Sequence, residues 1–496
     1  MRPSPNRPSG GGLPAAESTR RSIRFVNGAL ASLSKRLPAD ALSTDPEDLR
    51  TRSHDWWTLG MLRETRGDRP ALPLAVAFPS STAEVATLLT WAEETRTPVV
   101  ARGGGSSVTG AAQSGPGTVV LDLTRMGAII DVDAESQTVT VQAGANGQVL
   151  EEALNRGHGL TLGHYPQSIA ISTVGGWIAA SSAGQASAGY GAIEDRLLGL
   201  TAVLAGGQVV SLRTVPRSAS GPDLRRLLIG SEGTLAVVTE ATLACAPLPS
   251  GYAWEAFGFG TFAACMHGLR DALRRGAHPL IVRGYDETDA ALNLSAAGHA
   301  GGCAAIVGFA ADAPGLEDRR RAVRGAAMAN GGRSVPAGYG EHWLEHRNDA
   351  VATYQRIMGP ERSFGPGVAV DTMEVAGVWR GLPALYEGVR AALLEHADAA
   401  GCHLSHVYPS GSSLYFTFLI GGTDDRDAER KYLAAWDAAV RTTLAAGATM
   451  SHHHGVGRLR APYLADELGP GGTEMLRRIK AALDPSAILN PGVLLP

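Results

Sequence analysis

The chain has 496 residues, of which 44% are hydrophobic and 19% are charged, and its formal net charge is −4. This composition excludes an intrinsically disordered chain, and the lack of a basic excess argues against a nucleic-acid-binding protein. The length predicts two or three domains. Glycine is unusually frequent, with 62 residues. Because glycine permits tight turns and close backbone approach to a ligand, this surplus indicates an enzyme that encloses its ligand.

The cysteines and the N-terminus bear on the compartment. Four widely spaced cysteines form no CxxC pair, which is typical of reduced core residues in a cytosolic protein; they are Cys245, Cys265, Cys303 and Cys402. No run of 18 apolar residues predicts a membrane span. The pair Arg20-Arg21 resembles part of an export signal, but residues 22–36 lack the apolar region that such a signal needs. We therefore expect a cytoplasmic protein with a disordered tail over residues 1–20.

From residue 72 onward the chain alternates strand and helix patterns, which predicts an α/β or α+β sheet domain. A capping box at Ser81–Glu84 begins one helix, and Asn146 begins another, with Val149 on its buried side. After about Pro247 the pattern changes to a second domain. The expected strands are 72–78, 98–101, 118–123, 129–132, 138–141, 304–309 and 414–419, and the expected later helices are 261–275 and 379–396.

Two glycine-rich blocks are candidate ligand loops. Gly103, Gly104 and Gly105 directly follow a predicted strand, so successive backbone amides can point into one concavity, as in phosphate-binding nests. The loop is neither a P-loop nor a GxGxxG dinucleotide fingerprint. A second block, rich in glycine and serine, covers 172–191. The alternatives are a flexible turn for the first block and tight packing without a ligand for the second.

The order of several motifs carries a family resemblance. These motifs are 99–110, 163–177, 190–195, 220–223, 230–235 and 451–457. Together they resemble the flavoproteins of the vanillyl-alcohol oxidase and para-cresol methylhydroxylase (PCMH) superfamily, and most of all the alkylglycerone-phosphate (alkyldihydroxyacetonephosphate) synthases. The resemblance covers roughly residues 22–492.

The resemblance implies an α+β fold in which a two-subdomain, PCMH-type FAD-binding domain at 21–250 precedes a substrate (cap) domain on an antiparallel sheet at 251–480. Residues 481–496 would return to the FAD domain. It also implies FAD, held non-covalently because no His or Cys lies between Val99 and Leu121. The pyrophosphate would rest on the first loop, and the strand Glu232–Val238 would close over the adenine side. The implied cofactor residues are Arg102, Gly103, Gly104, Gly105, Ser106, Ser107, Gly110, Pro166, Ser168, Ser172, Thr173, Gly175, Gly176, Gly184, Glu232, Gly233 and Val238.

The candidate catalytic residues come from the second half of the chain. His452, His453 and His454 form the densest titratable cluster, and histidine is the common general base near neutral pH; the alternative is a surface or tag-like run. By the resemblance, Tyr415 is an acid/base and Arg283 binds the anionic end of a substrate, as an arginine fork suits. Arg356 is a weaker second anion-binding candidate, with a solvated helix arginine as the alternative.

The resemblance leaves the chemistry open. The hydroxy-acid dehydrogenases of the superfamily usually carry metal-binding GDGNLH-like and EHG segments, but His406–Gly411 and His454-Gly455 stand in this chain, so we expect no metal. The synthases have an arginine where Ser181 stands here, and residues 251–370 are the least similar region.

Three hypotheses follow. The first is oxidation of a hydroxyl-bearing anionic small molecule by hydride transfer to FAD. The second is redox-neutral ether-lipid synthesis through a flavin adduct, and the third is a non-catalytic flavin-binding scaffold. A homodimer is common among relatives.

Overall fold

The computed structural model describes residues 28–68 and 72–495 and contains two units, each with its own main hydrophobic core. The tail expected at residues 1–20 lies outside the described residues. No helix in the described ranges is both long and apolar enough to cross a membrane.

The first unit opens with a four-stranded sheet in the order β1-β2-β4-β3, in which β2, β4 and β3 run parallel. Ser81 caps α4, since its Oγ accepts the amide of Glu84, while the Glu84 carboxylate accepts the amide of Ser80 rather than that of Ser81. The elements are α1 (residues 28–33), β1 (Leu42–Ser43), α2 (Pro46–Arg52), α3 (Thr58–Thr65), β2 (Ala75–Ala77), α4 (Thr82–Thr95), β3 (Val99–Arg102) and β4 (Val119–Asp122).

A five-stranded antiparallel sheet, ordered β5-β6-β10-β8-β9, completes the first unit, with β11 pairing with β7 beside it. Asn146 caps α5 as expected, but Val149 is 64% exposed because the buried side of this helix carries Leu150 and Leu154 instead. The elements are β5 (Ile129–Asp133), β6 (Thr138–Gln142), α5 (Gly147–His158), β7 (Leu160–Thr161), α6 (Val174–Ala180), α7 (Ser187–Tyr190), α8 (Ile193–Arg196), β8 (Leu197–Val203), β9 (Val209–Leu212), α9 (Leu224–Leu228), β10 (Val237–Ala244) and β11 (Ala246–Pro247).

The second unit is built on a seven-stranded antiparallel sheet in the order β15-β12-β14-β13-β17-β18-β16. Successive side chains of a strand point to opposite faces of the sheet. Phe416 and Phe418 of β18 therefore enter the core under the helices, while Tyr415 lies on the opposite face. The elements are β12 (Tyr252–Phe259), α10 (Phe262–Arg274), β13 (Ile281–Tyr285), α11 (Glu287–Leu294), β14 (Cys303–Ala310), α12 (Leu316–Ala329), β15 (Arg333–Ser334), α13 (Gly338–His346), α14 (Asp349–Met358), β16 (Val368–Val378), α15 (Leu382–Leu394), β17 (Ala399–Val407), β18 (Gly411–Gly421), α16 (Asp425–Ala445) and α17 (Leu464–Leu483).

Two segments cross between the units. Helix α3 lies between β1 and β2 of the first unit in the chain, yet Leu59 and Leu62 lie in the core of the second unit. Arg63 of this helix forms an ion pair with Glu429 of α16 at 2.6 Å. At the other end of the chain, Val99 of β3 donates to Ile488 O at 2.7 Å, so the C-terminal segment extends the parallel sheet of the first unit. An N-terminal helix is thus packed in the second unit, and the C-terminal segment is paired with the sheet of the first unit.

Candidate active site

A cavity of about 430 Å³ lies between the first glycine-rich loop and the polar face of the seven-stranded sheet. Most of the residues singled out from the sequence line it. From the first unit these are Arg102, Gly103, Gly104, Gly105, Ser106, Ser107, Pro166, Ser168, Ser172, Thr173, Gly175, Gly176, Glu232, Gly233 and Val238. From the second unit they are Arg283, Tyr415, His453 and His454. The two units therefore bring their candidate residues to one place.

Two of the predicted glycines do not line the cavity. Gly110 has a φ of +78° and lies against the ring of Trp57. At Gly184 a Cβ would stand 2.5 Å from the amide nitrogen of Tyr165. Both positions exclude a side chain because the chain packs on itself there, so glycine content alone did not separate ligand contact from internal packing.

Two predicted polar residues also lie outside the cavity lining. Arg356 is exposed on α14 and donates to Thr353 Oγ1 of its own helix, which is the solvated helix arginine of the alternative interpretation. His452 lies behind His453, with its Nδ1 2.9 Å from His453 Nδ1 and its Nε2 2.8 Å from Tyr408 Oη.

The first glycine loop is shaped by contact with the second block. A Cβ on Gly103 would stand 2.1 Å from Thr173 Oγ1, and one on Gly104 would stand 1.7 Å from Ile171 O. Thr173 Oγ1 and Arg102 Nε are buried without a hydrogen-bond partner among the described residues. Since buried polar atoms normally have partners, these two fit a polar ligand in the cavity, and a run of loop amides beside them suits a phosphate.

The segment Glu232–Val238 is not a strand throughout. Strand β10 begins only at Val237, and Glu232 has a φ of 49° in the left-handed region. Its carboxylate accepts the amides of Val456 at 2.6 Å and Gly457 at 2.8 Å, directly after the histidine run. Burial raises the pKa of Glu232 to about 7. Glu232 thus links the first unit to the segment that follows the histidine run in the second.

Tyr415 stands between two neighbours in one cross-strand row of the sheet, with Glu374 on β16 and His403 on β17. Its ring stacks on His403 with centroids 4.7 Å apart and planes at 16°. His403 Nδ1 in turn lies 2.9 Å from Asp289 Oδ2 of α11. Burial raises the pKa of Tyr415 and lowers the pKa of His403, so both side chains are neutral near pH 7.

Glu374 holds the histidine run in place. Its Oε1 accepts the backbone amides of His452, His453 and His454 at 3.2, 3.2 and 2.9 Å. Its Oε2 lies 2.6 Å from Arg460 Nη2 and 2.8 Å from His454 Nδ1. Burial alone would raise the pKa of Glu374, but the charge of Arg460 and the contact with His454 outweigh it and hold this pKa well below its usual range. A buried carboxylate therefore organises the turn and orients the imidazole of His454.

Arg283 supplies a positive charge to the cavity. It is 5% exposed, and its guanidinium carbon lies 5.2 Å from the ring centroid of Trp343. Within the described ranges no carboxylate lies within ion-pair distance of Arg283, and its Nε has no hydrogen-bond partner. A buried cation without a protein counter-ion is costly, which fits a site that receives an anion.

Sequence reasoning missed several residues of this site, among them Glu374, His403, His406 and Asp289. His403 and Ser405 line the cavity while Cys402 and Leu404 are buried in the core, so polar–apolar alternation along 402–405 was a usable signal. Glu374 and Asp289 carried no such signal, because their roles depend on partners far away in the chain.

The chain matches two families of FAD-dependent proteins. The family described as "FAD binding domain" matches residues 73–213, and "FAD linked oxidases, C-terminal domain" matches residues 248–494. The protein is thus a flavoprotein enzyme whose cofactor is FAD, as the loop geometry and the motif order had indicated.

Similar proteins narrow the family. The chain is 31% identical to the alkyldihydroxyacetonephosphate synthase of Trypanosoma brucei brucei over 86% of this chain and 74% of that one. It is 32% identical to an uncharacterised FAD-linked oxidoreductase of Escherichia coli K12 over 86% and 89%. The chain belongs to the FAD-linked oxidoreductase family that includes alkyldihydroxyacetonephosphate synthases.

Solved structures agree on the fold. A crystal structure of alkyldihydroxyacetonephosphate synthase matches with a TM-score of 0.76 at 24% identity, covering 94% of this chain and 84% of that one. p-Cresol methylhydroxylase with substrate bound matches with a TM-score of 0.74 at 17% identity, covering 95% and 97%. The predicted PCMH-type α+β fold is confirmed.

Replacing Glu374 with Gln should strongly destabilise the protein, because Arg460 would keep its buried charge without a counter-ion. Breaking a buried pair in this way costs about 3–5 kcal/mol. Urea unfolding would measure the loss. Glu317→Gln is the control, since the Glu317 side chain is 65% exposed in its pair with Arg320 and should cost at most about 1 kcal/mol. Equal effects of the two substitutions would contradict the role given to Glu374.

Stability should respond to the titration of Glu232. Because its pKa is about 7 in the folded state and 4.5 as a model value, the folded protein keeps a proton that the unfolded chain has lost between these pH values. Stability from this group is therefore present at low pH and is lost as pH rises through about 7. The Glu232→Gln variant cannot titrate, so wild type should lose stability relative to it between about pH 5 and pH 8. Parallel unfolding profiles across this range would contradict the assignment.

Proposed function

We propose that the protein oxidises a hydroxyl-bearing anionic small molecule by hydride transfer to FAD. One observation carries this proposal: three kinds of group line the same cavity. They are the guanidinium of Arg283, which has no protein counter-ion, the neutral imidazole and phenol groups around Tyr415, and the FAD loop. When bound, FAD accepts the hydride from the substrate carbon. The protein has to hold the anion and take the hydroxyl proton.

Arg283 is suited to the first task. Its guanidinium enters the cavity from β13, near the ring of Trp343, and offers planar donors that match a carboxylate or phosphate. Tyr415 and His403 lie along the same face of the sheet. A substrate whose anionic end rests on Arg283 would thus present its hydroxyl carbon between this sheet face and the FAD loop.

The histidine run is suited to the second task. Burial holds the pKa of His453 well below its usual value, so the imidazole is unprotonated near pH 7 and can accept a proton. Burial instead raises the pKa of Tyr415, so the phenol keeps its proton and serves as a hydrogen-bond donor to the substrate oxygen. We therefore assign the base to His453, with His454 oriented beside it by Glu374.

A second candidate function is redox-neutral ether-lipid synthesis, in which a fatty alcohol replaces the acyl group of an acylated dihydroxyacetone phosphate. The likeness to the synthase of Trypanosoma brucei brucei supports it. Against it stands Ser181, which has a φ of 51° at the end of α6, where the synthases carry an arginine. The third hypothesis, a scaffold without activity, is set aside because the chain matches the FAD linked oxidases over residues 248–494.

An anaerobic substrate panel separates these functions. Net bleaching of the flavin by a hydroxy acid supports oxidation, whereas turnover of acylated dihydroxyacetone phosphate without bleaching supports the synthase. Arg283→Met should weaken binding of an active anion about 10- to 100-fold, from a lost charged hydrogen bond of about 1.5–3 kcal/mol. Arg356→Met is the matched control and should bind as wild type does, since Arg356 is exposed. If Arg283→Met binds normally, the anion site is elsewhere.

We also propose that FAD is dissociable and that the protein works in the cytoplasm. No His or Cys lies between Val99 and Leu121, and the four cysteines are all free and buried, which suits a reducing compartment. Precipitating the purified protein with acid should leave its yellow colour in the supernatant. Colour that stays with the pellet would show covalent attachment and overturn this part of the proposal.

A further inference from the structure

His452 lies next to the cavity without lining it, and it is joined to hydrogen-bonding groups on both sides. Its Nδ1 stands 2.9 Å from Nδ1 of His453, which does line the cavity. Its Nε2 stands 2.8 Å from Tyr408 Oη. These contacts form a continuous row of exchangeable protons, because an imidazole can accept on one nitrogen while it donates from the other.

The outer end of this row reaches the surface. Tyr408 is half-buried at the end of β17 and is followed by the exposed Pro409 and Ser410. Burial and the nearby carboxylates of Glu194 and Asp195 raise the pKa of Tyr408, so its hydroxyl keeps a proton near pH 7 and can both donate and accept. Tyr408 itself is partly exposed, so this end of the row has access to solvent.

We propose that His453, His452 and Tyr408 form a proton relay that carries the substrate hydroxyl proton from the cavity to water, and this inference rests on the oxidation proposed above. The substrate O–H bond breaks as His453 takes the proton on its cavity side, and the electron pair of the C–H bond leaves as hydride to FAD. His453 passes its Nδ1 proton to His452 Nδ1, and His452 passes its Nε2 proton to Tyr408 Oη. Tyr408 releases its hydroxyl proton to water, so no net charge stays on the relay.

A relay avoids the buried positive charge that would form if His453 acted as the base alone. An imidazolium at His453 would be buried among His406, His452 and His454, whose rings lie 4.5–5.1 Å from it by centroid, and a charge buried there is costly. A shift of protons along neutral rings avoids that charge. His406 does not extend the row, since its Nδ1 is bonded to Ser187 Oγ at 2.8 Å.

The connection itself is testable without a substrate. In the holoenzyme labelled with ¹⁵N-histidine, Tyr408→Phe should shift the imidazole nitrogen resonances of both His452 and His453, while those of His403 stay unchanged. Tyr463→Phe is the matched control, because Tyr463 also bonds a polar group, Asp437, but lies away from the cavity, and it should leave both signals in place. A response limited to His452, or no response, would overturn the relay.

The transport step is tested by rapid mixing with any hydroxy acid that bleaches the flavin. Tyr408→Phe should slow anaerobic bleaching about 10- to 100-fold, at or below the range of a direct acid–base group, without changing substrate affinity. His452→Ala should be similarly slow and should recover with added imidazole, which a purely structural defect would not do. An undiminished rate in Tyr408→Phe would overturn the relay. If no hydroxy acid bleaches the wild type, the oxidation proposal fails, and the histidine spectra alone decide whether the relay exists.

Discussion

The site depends on one buried ion pair, between Glu374 and Arg460. A carboxylate removed from water requires full hydrogen bonding, and Glu374 obtains it from Arg460, from Ser451 and from the three amides of the histidine run. The consequence is geometric. Three consecutive amides that converge on one oxygen fix the backbone of the run, so that His453 and His454 line the cavity while His452 lies behind them.

A second carboxylate fixes the other end of the same turn from the opposite unit. Glu232 belongs to the first unit and accepts the amides of Val456 and Gly457, while its own carbonyl accepts from Asn490 in the C-terminal segment at 2.7 Å. The position of the imidazoles relative to the glycine loop is therefore set by direct bonds and not by the packing of two surfaces. This arrangement suits hydride transfer, which requires the reacting atoms to be held closely.

The sequence predicted the fold and the cofactor well because both depend on local order: glycine loops after strands, Ser81 and Asn146 as helix caps, and motifs in a fixed succession. It predicted less of the chemistry. Arg283, Tyr415 and His453 were singled out from the sequence and do line the cavity. Glu374 and Asp289 act through partners about 80 and 114 residues away, and no spacing rule connects them. Glycine content misled in part, since Gly110 and Gly184 are required by internal packing and do not line the cavity.

The crossing of chain segments limits how ligands can enter. Helix α3 lies in the core of the second unit, and residues 488–490 pair with β3 of the first. If the two units separated as rigid bodies, the apolar contacts of α3 and the sheet hydrogen bonds of residues 488–490 would both be lost. The two units are therefore held together and do not open as hinged domains. A ligand must then enter by smaller movements, for example of the cavity-lining Trp56 and Tyr354, whose rings stack with centroids 6.2 Å apart. The groups that the two units bring to the cavity stay in place during such movements.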